Sequence, residues 1–143
     1  MQPTIEILIG APVVGSEAAA LRDLVSSLVA PALVLVNFEI VSRDTSRQID
    51  FLVVTSQRAE LIELKEITAP VKGGTNGPWQ IETSRGLFVP YAGPNPWVQA
   101  RDAKFALSDA MQAFAKRGAV PPPTDKYFFK QIDACVAVYP RIE

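Results

Sequence analysis

Histidine is missing from this chain altogether, and cysteine occurs once, at Cys135. Ser-His-Asp triads, Cys-His pairs, histidine general bases and zinc sites built from His and Cys are therefore excluded within it. One cysteine cannot form an intrachain disulfide, which fits a reducing compartment. Cys135 stands in the apolar stretch Ala134-Cys135-Val136-Ala137-Val138 and reads as a core residue, not a nucleophile. Long apolar runs are missing too: the stretch Ala30 to Val36 contains Pro31 and falls far short of the ~20 residues a membrane span needs. No basic segment leads into an apolar one at the N-terminus, so no secretory signal is read and the expected location is cytoplasmic. An excess of charge is the last absence. A net charge of −1 gives no surface-wide electrostatic case for nucleic acid. It leaves room for a local basic rim, for which Arg43, Arg47, Arg58 and Lys72 are the candidates. Any catalysis must run on carboxylates, lysines, a hard metal ion, or hydroxyls activated without histidine.

The 143 residues suit one domain. A short strand is expected over Thr4 to Ile9, then a helix from Glu17 to Val29 with Ser16 as its N-cap and Pro31 as its stop. Leu21, Leu24 and Leu28 form its buried stripe. Strand-like runs follow at Leu33 to Val41, Gln48 to Thr55 and Ala59 to Ile67, the last two forming an antiparallel hairpin. Thr68 to Asn95 is rich in Gly and Pro, with short strands around Trp79 to Glu82 and Gly86 to Pro90. A connection this long inside a domain usually frames a functional surface. A second helix runs from Pro96 to about Arg117 with Asn95 as N-cap. Ala103, Leu107, Ala110 and Phe114 form its apolar stripe, and Gly118 with Pro121-Pro122-Pro123 ends it. The closing strand, Ile132 to Val138, is apolar on both faces and reads as central. The order predicts an α/β fold: a mixed sheet with a helix on each side. A chain ending on a central strand leaves open that 1–143 is the N-terminal part of a longer protein.

Chemistry concentrates in Gln48-Ile49-Asp50-Phe51-Leu52 and Leu61-Ile62-Glu63-Leu64-Lys65, where ionisable residues interrupt apolar strands. Burying a carboxylate without a partner is costly, so such interruptions need a reason. Residues two apart on a strand share a face, so Glu63 and Lys65 point the same way. A two-residue loop at Gln57-Arg58 sets Asp50 opposite Lys65, and a four-residue loop, Thr55 to Arg58, sets it opposite Glu63. A three-residue loop without a bulge breaks the site. With the right parity, Asp50, Glu63 and the Leu64 carbonyl can hold one Mg²⁺ along with water, and Lys65 can meet the attacking water or the phosphate. A buried ion pair between Lys65 and either carboxylate produces the same spacing without any catalysis. Glu17 and Gln99 are polar groups on otherwise apolar helical stripes, each in the first turn of its helix. Trp79 and Trp97 can stack on bases or pack the loop onto the sheet.

Gly15-Ser16-Glu17, Gln48-Ile49-Asp50, Glu63-Leu64-Lys65, Asn95-Pro96-Trp97-Val98-Gln99 and Val136-Ala137-Val138, in that order, resemble the nuclease-related domain (NERD) family. This is a branch of the PD-(D/E)XK nuclease superfamily. The resemblance implies a restriction-endonuclease-like fold and a metal-dependent nuclease, with metal on Asp50 and Glu63, catalytic support from Lys65, and auxiliary roles for Glu17 and Gln99. It implies Mg²⁺, with Mn²⁺ as a substitute, and nucleic acid as the partner, DNA ahead of RNA, with no membrane. A homodimer and an appended helicase or kinase domain remain open. The alternative is a non-catalytic nucleic-acid-binding or regulatory module of a larger protein. Thr68 to Pro94 carries no family pattern.

Overall fold

The computed structural model describes residues 2–42, 45–118 and 131–140. Arg43 and the Pro121-Pro122-Pro123 connector lie outside them. Five strands form the main sheet: β1 (Ile5–Ile9), β2 (Ala32–Ser42), β3 (Thr45–Val54), β4 (Ala59–Glu66) and β8 (Ile132–Tyr139), in that spatial order. Strands β2, β3 and β4 are antiparallel, whereas β1 on β2 and β8 on β4 are parallel. A parallel pair needs a crossover. Helix α1 (Gly15–Ser27) supplies the first, and α2 (Pro96–Lys116) lies in the second.

Neighbouring residues on β4 show that the helices cover opposite faces. Leu61 packs in one core cluster with Leu52, Ile49 and, from α2, Ala103 and Leu107. Ile62 packs in the other with Phe51, Val34, Val36 and, from α1, Ala20, Leu21, Leu24 and Leu28. Phe51 is 2% exposed, and burying such a side chain contributes roughly 1.5–3 kcal/mol.

Strand β8 is an edge of this sheet and not the central strand expected, since β4 alone pairs with it among the described residues. Its apolarity reflects layers above and below it. Ile132 enters the α2-side core and Tyr139 packs against the α1-side one. The expected Ser16 cap also differs: α1 begins at Gly15, Val14 is the N-cap position, and no side chain caps it. Gly15 has φ +58°, a left-handed conformation that suits glycine, and Ser16 is buried within the first turn. The second helix follows the sequence closely. Asn95 Oδ1 accepts from Trp97 N (2.8 Å) and Val98 N (3.2 Å), with Pro96 next. Its stripe turns through Met111, while Phe114 is exposed and carries the Arg117 guanidinium over its ring. In the long connection β5 (Val71–Lys72), which was not expected, joins β6 (Gln80–Glu82) and β7 (Phe88–Pro90) in a small antiparallel sheet.

One irregularity in the main sheet positions everything that follows. On β2, Val34 and Val36 face the α1 side, but Phe38 and Ile40 face the α2 side. On β3, Phe51 faces the α1 side and Ile49 the α2 side. Regular strands keep residues two apart on one face. Both strands therefore change face at one place, between Val36↔Phe51 and Phe38↔Ile49, where the ladder omits the rung of Asn37 and Asp50. Asn37 has φ +51° and is the one non-glycine residue with positive φ among those described.

Candidate metal centre

The hairpin turn decides where Asp50 sits. Thr55 N donates to the Arg58 carbonyl (2.9 Å), and the Thr55 hydroxyl accepts from Gln57 N and Arg58 N. A threonine side chain closing its own turn in this way fixes the loop. The resulting pairs, Val54↔Ala59 to Phe51↔Ile62, continue to Asp50 opposite Glu63, the register of the four-residue loop. Pairing stops at Phe51↔Ile62. Beyond it Asp50 Oδ2 accepts from Leu64 N at 2.8 Å, so a side chain replaces the backbone rung.

Asp50 and Glu63 line one cleft of about 400 Å³ together with Ser46, Arg47, Gln48, Gln99 and Ala103. Lys65 Nζ lies 3.2 Å from Glu63 Oε1, and these two side chains are only 19% and 14% exposed. Burial raises the Asp50 carboxyl pKa, against the Leu64 N–H and the Lys65 charge, which lower it. Burial and then the Asp50 charge raise that of Glu63, while Lys65 and Arg47 pull it down. Glu17 does not line the cleft, yet its carboxyl is also raised, first by burial and then by the charges of Asp50 and Glu66. The first turn of α1 thus brings a third carboxylate into the electrostatic neighbourhood of Asp50. Gln99, one turn into α2, presents a buried Oε1 with no hydrogen-bond partner among the described residues.

Among the described residues no group of three or more Cys, Asp or Glu side chains converges as a metal cage. The donor set in the cleft that fits a hard cation is smaller: two carboxylates and an orphaned amide oxygen. Two carboxylates in one half-buried cleft, with the Lys65 ammonium on Glu63 and Arg47 in the lining, still suit an added cation. A buried acceptor left without a donor also calls for a partner.

Other candidates fall elsewhere. Trp79 and Trp97 line a separate, apolar cleft of about 290 Å³ with Cys135 and Val136. The Cys135 thiol is pushed up to about 11 by burial and by Glu60, which leaves it protonated. Of the expected basic rim, the three described residues lie in different settings: Arg47 lines the cleft, Arg58 pairs with Glu60 at the turn, and Lys72 sits over the Phe88 ring. Sequence reasoning missed Ser46 and Asn37. Asn37 carried one signal, a polar residue in the middle of an apolar strand, like those that marked Asp50 and Glu63. Among the described residues no helix is long and apolar enough to cross a membrane.

No curated protein and no solved structure matches this chain. A family does: the nuclease-related domain matches residues 15–136, from the Gly15-Ser16-Glu17 opening of α1 through Asp50, Glu63, Lys65 and Gln99 into β8. Over that span the two carboxylates, the lysine and the glutamine occupy the hairpin and helix start that enclose one cleft, and the chain belongs to the nuclease-related domain (NERD) family.

Proposed function

We propose that this domain is a Mg²⁺-dependent nuclease that hydrolyses phosphodiester bonds, with DNA as substrate ahead of RNA. One observation carries the reading: Asp50, Glu63 and the unpartnered Gln99 Oε1 share a cleft in which Lys65 reaches Glu63. Asp50, Glu63 and the Leu64 carbonyl would hold the cation, with Mn²⁺ as a substitute. When bound, Mg²⁺ polarises a phosphate and lowers the pKa of water. The remaining work belongs to the chain. Asp50 is oriented by the Leu64 N–H, so one carboxylate oxygen is committed to the backbone and the other is free for the cleft. The Lys65 ammonium has donors only, and it stabilises the charge that gathers on phosphate and attacking water. Gln99 Oε1 accepts from a water or a substrate donor in the cleft, and Arg47 offers a guanidinium to a phosphate oxygen. Glu17 adds negative charge beside Asp50, which favours cation binding from the rim.

The preference for DNA over RNA is an expectation from the family resemblance. The test is cleavage of single- and double-stranded DNA and RNA with Mg²⁺, Mn²⁺ or EDTA, alongside calorimetric metal titration. Asp50→Asn and Glu63→Gln accompany the wild type. Metal-dependent cleavage lost in both variants supports the reading. Nucleic-acid binding without cleavage turns it into a recognition module, and the absence of metal binding rejects it.

A further inference from the structure

We propose that Asn37 is the positioning residue for the Asp50 carboxylate, acting through its left-handed backbone. The inference rests on the nuclease reading for its purpose but on the sheet alone for its geometry. Asn37 and Asp50 would be cross-strand partners, yet theirs is the one rung omitted between Val36↔Phe51 and Phe38↔Ile49. On either side of it both strands present opposite faces to the two helices.

An extended Asn37 would keep the β2 alternation intact and carry Phe38 and Ile40 to the α1 side. A residue at φ +51° resets the alternation by one position. Strand β3 follows, because its rungs remain paired on both sides of the break. Asp50 is left at the point of reversal, released from its β2 partner. From there its side chain turns toward β4 and takes the Leu64 N–H. A regular strand would hold the carboxylate on one face, with the Leu64 N–H left to the backbone.

Three contacts lock the conformation. Asn37 is 8% exposed. Its Nδ2 donates to the Pro12 carbonyl at 3.1 Å, and its Oδ1 accepts from Gln48 Nε2. The chain leaving β1 passes so close that a Cβ on Gly10 would lie 2.7 Å from the Asn37 carbonyl oxygen. Pro12 belongs to the connector into α1, which carries Glu17, and Gln48 lines the cleft. Asn37 thereby ties the Glu17 segment, the cleft-lining Gln48 and Asp50 to one backbone setting. Asparagine is among the few non-glycine residues that adopt this region readily, because its short amide bonds locally.

The experiment compares Asn37→Gly, Asn37→Ala and Asn37→Val in the whole chain. All three remove the side-chain contacts, and only glycine keeps the left-handed backbone at no steric cost. The first readout is the Leu64 amide resonance of metal-free protein, with Asp50→Ala marking the position of the unbonded amide. The second is Mn²⁺ affinity. Glycine should leave the Leu64 resonance near its wild-type position and affinity within about threefold, whereas Ala and Val should move the resonance toward the Asp50→Ala position and weaken Mn²⁺ by about tenfold or more, the scale of lost outer-shell support. A side chain that merely filled space would give equal losses for Gly and Ala, which overturns the proposal. An unchanged Leu64 resonance in folded Asn37→Ala also overturns it. Should Asn37→Val fail to fold, the Gly and Ala pair still decides. If the wild type binds no Mn²⁺, the nuclease reading fails, and the Leu64 comparison tests the positioning on its own.

Discussion

Lys65→Ala separates the two roles proposed for one ammonium group, partner of Glu63 and stabiliser of developing charge. Lys65 Nζ sits 3.2 Å from Glu63 Oε1, with the two side chains 19% and 14% exposed. Exposed pairs contribute ~0–1 kcal/mol, and breaking a fully buried one costs ~3–5 kcal/mol. This pair lies between those limits, so truncation should cost about 2 kcal/mol. For a domain near this size that is a fall in Tm of roughly 4–8 °C. The cost arises because Glu63 is stranded beside Asp50, which already raises its pKa. Removing that charge as well, in Glu63→Gln/Lys65→Ala, should restore most of the lost stability. Catalysis should not follow. A preorganised donor at a phosphate is worth ~3 kcal/mol, about a hundredfold in rate, and the double variant keeps neither donor nor carboxylate.

Metal affinity provides the third readout. Lys65 offers no ligand atom, so Mg²⁺ binding should persist in Lys65→Ala and tighten slightly as a like charge is removed. The assay is a set of three measurements on one folded variant: thermal melt, calorimetric Mg²⁺ titration, and metal-dependent cleavage. Wild-type cleavage in a folded Lys65→Ala protein refutes the catalytic role. Loss of fold, rescued by Glu63→Gln, would leave Lys65 as the partner of a buried acid and nothing more.

The remaining expectations concern the acids and the helix start. The pKa values of Asp50, Glu63 and Glu17 are all raised, with burial the first cause, so the folded metal-free protein binds protons more tightly than the unfolded chain does. Stability from these groups is therefore full below the unfolded carboxylate pKa of about 4 and is lost as pH rises through the raised folded values. Asp50→Asn should accordingly gain in Tm over the wild type as pH rises from acid to neutral without metal; a flat difference across that window would contradict the sign. Asn95→Ala removes the acceptor for Trp97 N and Val98 N and the donor to the Gly74 and Gly77 carbonyls. It should cost about 1–2 kcal/mol and lower hydrogen-exchange protection at Trp97 and Val98, which unchanged protection would disprove.

What could be read from the sequence was local, or followed from parity. Asn95-Pro96 announced its helix because a cap and an N1 proline act within a few residues of themselves. Glu63 and Lys65 had to share a face because nothing breaks β4 between them. The Asp50 register was narrowed to even loops but not chosen, since the choice rests on the Thr55 hydroxyl bonding to Gln57 N and Arg58 N. That bond exists only once the turn is made. The edge position of β8 was hidden for another reason: apolarity on both faces reports covering layers, and a strand with helices near it looks the same at an edge as in the middle.

The change of face at Asn37 left a trace of a different kind. Before it, Leu33, Val34, Leu35 and Val36 are all apolar, as a strand covered on both faces requires. After it, Phe38 and Ile40 alternate with the exposed Glu39 and then the exposed Val41, as a strand covered on one face requires. Asn37 stands where the pattern changes, which is where the α1 layer stops covering the strand. Beyond that point Glu39 and Val41, on the α1-side face, are exposed among the described residues, and apolar side chains gain only by turning toward α2. A left-handed residue makes that turn within one position. The end of a layer and the reversal of a strand are therefore one event, and the rung at which they occur is the one that releases Asp50. Its lock could not be read in advance, because the Asn37 partners, Pro12 and Gln48, lie 25 and 11 residues away along the chain.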